Sequence, residues 1–389
     1  MSGCEEMGEN TNRGVSFSME FLETTKKTGG WQMTRIKAIV SVLFVSVFAV
    51  GVFAASAKDK VIELSVSTMW GPKMGWMAQV VPEWQRILKE ETNGQVELVI
   101  YGGQTLTKAP EAYQGVVSGI SDIAVVGFPL TPGAFPVVET FCMPGIQYNS
   151  ALVSSKVLEE GLEILKPAEL DDTELLWTFA TGPGEFITKK GYPITSFESI
   201  QGMELAANSG TKEKALNLIG ASASFIPTPE WLEYLKNDIV KGGLIAGEVL
   251  DGFNHREYSG HNVTVIPYLF LSNFGVVMNK QKFDSLPPEI QKALKIMPEN
   301  APALWDSLNK KGYEVNEKQK KGEVNYIIMP EEEHAKFKAA VKPMIDERIE
   351  YLNKQGLDGQ KIMDTIMQLA DKYNADNPPA PYLTDLIDK

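Results

Sequence analysis

Strand-like and helical runs alternate in a fixed order between Val61 and Val126, and that order leaves few folds open to the chain. In Val61–Ser67 (VIELSVS), Ile62, Leu64 and Val66 share one face, as in a half-buried strand. Met74, Met77, Val81, Trp84 and Leu88 then recur at spacings of three and four, the apolar stripe of a helix. Pro82 interrupts that stripe and predicts a kink, because proline lacks the amide an interior turn uses. Thr92-Asn93-Gly94 stops the helix, and Val96–Tyr101 (VELVIY) is the next strand. A helix around Pro110–Ser118 leads to a third strand, Asp122–Val126. Strand, helix, strand, helix, strand with short connections means a parallel sheet wound by right-handed crossovers.

The pattern repeats further on. Glu174–Ala180 (ELLWTFA) is a strand closed by the tight turn Thr181-Gly182-Pro183-Gly184. Ser196–Gln201 reads as a turn or short helix ended by Gly202, and Leu205–Ala207 and Ser224–Ile226 are short strands around a helix that starts near Thr211. Val263–Met278 is too long and too apolar for one ordinary strand and reads as two, running from one lobe into another. A charged helical region after Pro287-Pro288 extends to about Lys321, followed by a strand at Val324–Met329 and amphipathic helices to the C-terminus. Tandem α/β units with repeated crossings describe two lobes joined by a hinge.

Ahead of these units, Arg35 and Lys37 precede an apolar run from Ala38 to Ala55, and Ala55-Ser56-Ala57 offers a cleavage point before Lys58. This is the pattern of a secretory signal peptide, residues 33–57, with residues 1–32 an over-long leader; a membrane anchor is the competing reading of the same run. The segment up to residue 57 carries equal numbers of acidic and basic groups, so the exported chain keeps the full net charge of −13. Such a surface argues against nucleic acid and anionic lipid as partners. Cys142 is the one cysteine beyond the leader, so no intrachain disulfide is expected and a sufficient core must hold the protein.

Catalytic patterns are sparse. The histidines of "HREYSGH", His255 and His261, lie six apart, whereas a helical zinc pair needs a spacing of four to share a face. A solvated loop or helix end is the expected setting, and no metal or cofactor is expected. Cys142, in the apolar "FCMPG", reads as a small core residue. The chain has no Gly-x-Ser-x-Gly elbow, phosphate-loop lysine or dinucleotide fingerprint.

Aromatic residues follow three strand ends: Trp70 after the first, Tyr101 at the end of the second, Phe128 after the third. Ligands of open α/β sheets sit outside the carboxyl ends of the strands, so these side chains point to a small-molecule cleft. In the second half, Glu204–Ala207 runs into Asn208-Ser209-Gly210 and a helix N-terminus, where amides can meet an anion. The strand tip itself carries Ala206 and Ala207 and no cation.

"EETNGQVELVIYGGQTL" (90–106), "GVVSGISDIAVV" (115–126), "TPGAFPVVETFCMPG" (131–145), "GPGEFITKKGYPITSFESIQGMEL" (182–205) and "VVMNKQKFDSLPPEIQKAL" (276–294) together resemble the substrate-binding subunits of tripartite ATP-independent periplasmic (TRAP) transporters, the DctP-like family. The resemblance implies a non-catalytic periplasmic receptor with a two-lobed, periplasmic-binding-protein-like α/β fold, a hinge, and long C-terminal helices packing across the lobes. It implies a monomer that closes on a small organic solute, most simply an organic acid, and delivers it to membrane permease subunits. The corresponding domains are 58–180 (lobe 1), 181–269 (lobe 2), 270–322 (return to lobe 1 and a connecting helix) and 323–389 (a lobe 2 strand and the C-terminal helices). A receptor for an ATP-driven importer or a sensor kinase, and a periplasmic enzyme on the same scaffold, are the alternatives.

The family's carboxylate-binding arginine corresponds to Ala206 here, and Glu185 stands where a second basic position is frequent. A bidentate guanidinium is difficult to replace, so three accounts of the ligand's polar end stay open. Lys108 serves as a point charge; or the amides of Gly182–Gly184 and the N-terminus near Thr211 serve; or the ligand is less acidic and faces Glu185 and the aromatics. The ligand-facing set expected from the resemblance is Trp70, Tyr101, Lys108, Phe128, Gly182, Gly184, Phe186, Ala206, Asn208, Phe253, Asn254 and Phe274.

Overall fold

The computed structural model describes residues 61–247, 253, 255, 258–308 and 325–377. The expected leader and signal peptide and Asn254 lie outside the described residues, as does the end of the charged stretch before Lys321, from residue 309 on. In chain order the described strands are β1 (Ile62–Ser67), β2 (Val96–Tyr101), β3 (Ile123–Gly127), β4 (Thr173–Ala180), β5 (Glu185–Thr188) and β6 (Glu204–Ala207). They continue with β7 (Ser222–Phe225), β8 (Gly242–Ile245), β9 (Asn262–Val265), β10 (Asn273–Asn279) and β11 (Asn325–Ile327).

They form two sheets, ordered β2-β1-β3-β10-β4 and β11-β9-β5-β8-β6-β7. In the first, β1 lies parallel to β2 and β3, as the alternating sequence requires. The sheet is nevertheless mixed, because β10 runs antiparallel to both β3 and β4. The expected proline kink takes a specific form: a π-helical turn, Trp76–Val80, precedes the α-helix Val81–Glu91, in which Pro82 occupies an early position that needs no amide donor. Trp76, Trp84 and Leu88 are fully buried against this sheet's core.

In the second sheet β6 is parallel to β7 and β8, and β5 is antiparallel to β8 and β9. Val263–Met278 does supply a strand to each sheet, β9 to the second and β10 to the first. The chain therefore passes between sheets through Thr181–Gly184 and through Ile266–Ser272. The C-terminal helices tie the two sides together: Glu331–Val341 packs on Gly210–Leu218 beside the second sheet, and Gly359–Asp376 packs on Ala151–Leu165 beside the first.

Candidate ligand cleft

A cleft of about 480 Å³ opens where the two sheets face each other, within the usual range for small-molecule sites. The first sheet contributes residues beyond the ends of β1, β2 and β3: Met69, Trp70 and Met74, then Gln104 and Lys108–Glu111, then Pro129 and Leu130. Phe274 of β10 and Trp305 complete that wall. Asn208 follows β6, Phe225 and Pro227–Glu230 follow β7, and Ile245 and Phe253 follow or end β8 on the other side. Thr181, Phe270 and Ser272 come from the crossing segments. Carboxyl ends of strands meeting at a crevice are where open α/β sheets hold ligands.

The first wall is an aromatic block. The Trp70 ring sits 5.0 Å from Phe274 and 5.6 Å from Trp305, and Phe274 stacks at 5.2 Å on Phe179 behind it. Trp305 is set in place through its neighbour: Asp306 accepts from the amides of Ala151 and Leu152 at 2.7 and 3.0 Å, filling the unpaired donors at a helix start. The Trp305 indole Nε1 is buried and has no hydrogen-bond partner among the described residues. Phe270 reaches the cleft because residue 184 is glycine; a Cβ there would overlap its ring.

A buried polar group forms where the chain crosses between sheets. The Ser272 amide donates to Thr181 Oγ1 at 3.0 Å, and the Thr181 amide donates to the Ser272 carbonyl at 2.8 Å. Behind them lies a residue that the sequence analysis does not single out, Lys212. Its Nζ donates to Asn208 Oδ1 at 2.9 Å and to Ser272 Oγ at 2.8 Å, and stands 4.0 Å over the Phe270 ring. The side chain is 1% exposed, and burial pushes its pKa down to about 7, with the Cys142 thiol a smaller opposing influence. Asn208 Nδ2 in turn donates to Thr228 Oγ1 at 3.2 Å. The local fold explains the placement: Ser209 caps the helix Gly210–Leu218 by accepting from the Lys212 amide, which brings Lys212 onto the buried face with Ala215 and Leu216.

A family model for bacterial extracellular solute-binding proteins, family 7 (DctP), matches residues 66–351. The chain belongs to this family. It is a DctP-type solute-binding subunit of a TRAP transporter, a receptor rather than an enzyme by family. An uncharacterized protein of Haemophilus influenzae is 27% identical over 308 residues, covering 76% of this chain and 89% of its own. Among solved structures, a TRAP solute binding protein of an unidentified marine microbe, specific for aromatic acid ligands and bound to metahydroxyphenylacetate, superposes with a TM-score of 0.75. It is 25% identical and the match covers 80% of this chain and 99% of that one. A TRAP periplasmic solute binding protein from Desulfovibrio salexigens, in an open complex with the C-terminus of a symmetry mate in its ligand binding site, gives 0.71 at 26% identity, covering 81% and 98%.

Of the ligand-facing set expected for this DctP-family receptor, the cleft brings together Trp70, Lys108, Asn208, Phe253 and Phe274. The six other described members stand elsewhere. Tyr101 ends the edge strand β2 at 38% exposure, because no strand covers that side. Phe128 is wholly buried, edge-on to Phe135 at 4.9 Å and beneath Gly275, so it is a wedge under β10. Phe186 points into the core toward Phe337, at 6.1 Å. Gly182 is buried in the crossing without lining the cleft, and Gly184 acts only through Phe270. Ala206 also falls outside: it is fully buried in β6 between β7 and β8.

The three accounts of the polar end are thereby narrowed. Lys108 lines the cleft but is exposed, as are Glu111 and Glu230, which marks this as the mouth. The amides of Gly182–Gly184 do not reach the cleft, and Glu185 is buried within β5. His255 differs from its expected solvated setting: it is 1% exposed and stacks on Trp231 at 6.1 Å and 7°. Lys212 had a detectable signal, since Lys212, Ala215, Leu216 and Ile219 follow helical spacing and place a lysine on an otherwise apolar stripe.

Proposed function

We propose that this receptor captures a small organic acid with an aromatic or otherwise apolar body and presents it to membrane permease subunits. The observation that carries the reading is the division of the cleft. Trp70, Phe253, Phe270, Phe274 and Trp305 give it apolar walls, while the buried polar residues Thr181, Asn208 and Ser272 come together at the chain crossing, apart from the exposed, charged residues Lys108, Glu111 and Glu230. An apolar cavity with a few convergent polar groups orients a ligand that has one polar end. The marine relative's specificity for aromatic acid ligands supports the same class of solute.

In this reading lobe 1 comprises 58–180 and the return 270–322, lobe 2 comprises 181–269, and 323–389 adds a lobe 2 strand and the spanning helices. The crossing segments serve as the hinge, and closure on the ligand excludes water and strengthens the polar contacts. The receptor works as a monomer in the periplasm after removal of residues 33–57.

A thermal-shift screen of monocarboxylic acids, followed by calorimetry, tests the ligand class, because a ligand that binds only the native state raises the melting temperature. Aromatic monoacids are expected to raise it and their primary amides to leave it unchanged. A flat response to every acid, or an equal response to the amides, would overturn the reading. N-terminal sequencing of the exported protein tests the cleavage after Ala57.

A further inference from the structure

A carboxylate drawn into this cleft needs a counter-charge, and the expected arginine position, Ala206, supplies none. We propose that Lys212 is that counter-charge, acting from behind the cleft wall through the side chains of Ser272 and Asn208. The proposal rests on the organic-acid reading and names the group that selects for the acid.

Three observations converge on Lys212. All three groups that its ammonium touches, Asn208, Ser272 and the Phe270 ring, line the cleft. Its charge has no ion-pair partner among the described residues, although its hydrogen bonds are made. Finally, Ser272 Oγ accepts from Lys212 and Thr181 Oγ1 accepts from the Ser272 amide, yet neither hydroxyl donates to another described group. Both residues line the cleft, so two hydroxyl protons are available to donate to a ligand there, a match for the two oxygens of one carboxylate, with the ammonium hydrogen-bonded to Ser272 Oγ.

The surrounding charges do not take up that role. The Cys142 thiol is pushed up to about 12 by burial and stays neutral. Beyond it Glu139 pairs with Arg348 at 3.6 Å. On the helix packed against Lys212's own helix, Glu333 pairs with Lys336 at 2.8 Å. Of its neighbours on that helix, Glu213 is half-buried, and Lys214 is exposed and paired to Glu347. Lys108, Glu111 and Glu230 stand at the exposed mouth. A lysine retained only for packing is a poor choice at a fully buried position, where an apolar residue of equal volume avoids the desolvation cost.

Protonation follows from the same geometry. In the empty cleft burial holds Lys212 near neutrality, so a bound carboxylate restores the charged form and draws in a proton. Affinity for an acid is expected to be flat below pH 7 and to fall above it, approaching about tenfold per pH unit until the pKa of the complex is reached.

Calorimetry of the purified receptor with benzoate and phenylacetate as probes, from pH 6 to 9, tests this. Lys212→Met keeps the volume and removes the charge. It is expected to weaken binding roughly 30-fold or more at pH 6.5 and to abolish the pH dependence, without lowering the ligand-free melting temperature. Wild-type affinity with a wild-type pH profile in Lys212→Met overturns the assignment. Should that variant fail to fold, proton uptake by the wild-type receptor at pH 8, measured in two buffers of different ionisation enthalpy, decides: uptake near zero overturns it. A wider acid panel with no binder sinks the ligand-class reading and this proposal with it. An acid that binds and ignores Lys212→Met sinks the Lys212 assignment alone.

Discussion

Thr181 and Ser272 are tied by two hydrogen bonds, Ser272 amide to Thr181 Oγ1 at 3.0 Å and Thr181 amide to Ser272 carbonyl at 2.8 Å. One residue leaves β4 for the second sheet and the other enters β10 from it, so the pair joins the first two of the chain's crossings beside the buried polar residues of the cleft. Of the two hydroxyls only that of Thr181 takes part in this tie; the Ser272 hydroxyl accepts from Lys212 instead. Ser272→Ala is expected to weaken acid binding about 10- to 100-fold, because a donor to a charged group is lost and Lys212 loses an acceptor. Thr181→Val is expected to do the same and also to lower the melting temperature, since it leaves the buried Ser272 amide unpaired. Calorimetry and thermal melts of both variants check this; unchanged affinity in both would place the carboxylate elsewhere.

The first sheet was legible because its order rests on periodicity: β1 to β3 and the intervening helices show spacings of two and of three to four before any tertiary contact is known. β5 and β8 were not, since four-residue strands carry too few positions to show a period, and β8 opens on Gly242-Gly243. At the cleft the sequence indicated which strand ends matter but not which way their aromatics turn. Trp70 faces the cleft whereas Phe128, placed equivalently after β3, turns beneath β10, and only the space left by Gly275 decides that. Lys212 escaped notice for a related reason. Its immediate neighbours Thr211 and Glu213 suggest a solvated setting; the helical spacing to Ala215, Leu216 and Ile219 points the other way, and which face packs is a tertiary fact.

Phe253 and Phe274 both line the cleft, yet truncating them has different consequences. Phe253 is partly exposed, so Phe253→Ala is expected to weaken ligand binding about tenfold or more while the melting temperature stays nearly constant. Phe274 is 5% exposed and wedged between Trp70 and Phe179, so Phe274→Ala opens a cavity in the aromatic block and costs about 3–5 kcal/mol of stability. Chemical denaturation beside calorimetry separates the two outcomes. Equal losses of stability would mean that Phe253 is structural as well.

Lys108 stands exposed at a mouth that also carries Glu111 and Glu230. Its removal leaves the entrance more negative, which slows approach of an anion without touching the enclosed contacts. Lys108→Ala is therefore expected to lower the association rate about two- to fivefold at low salt and to leave the dissociation rate unchanged. Stopped-flow tryptophan fluorescence can follow both rates, given the tryptophans in the cleft wall. The difference from wild type is expected to vanish near 0.5 M salt, roughly where the screening length falls to about 4 Å. A slower association that persists at high salt would contradict a purely electrostatic role.

His255 gives the fold a dependence on acid. Its ring stacks on Trp231 at 6.1 Å and meets Phe253 at a tilt, 6.0 Å away, and burial pushes its pKa down to about 4 from an ordinary value of 6.5. Between those two values the unfolded chain binds the proton and the native one does not, so stability rises with pH across that window. The contribution is fully present above pH 6.5 and is lost as pH falls through 4, with a slope of at most about 1.4 kcal/mol per pH unit. Glu139 and Glu169, whose pKa values are raised by burial, act in the opposite sense, so the wild-type profile alone does not isolate the histidine. The neutral, planar replacement His255→Phe does: it is expected to melt at temperatures less dependent on pH between 4 and 6.5. Because Phe253 packs on the same ring, acid is also expected to loosen that wall of the cleft and weaken ligand binding in the wild type, and less so in the variant. Parallel pH profiles for the two proteins would show that His255 stays neutral or stays charged in both states, and would remove it as the acid-sensitive element.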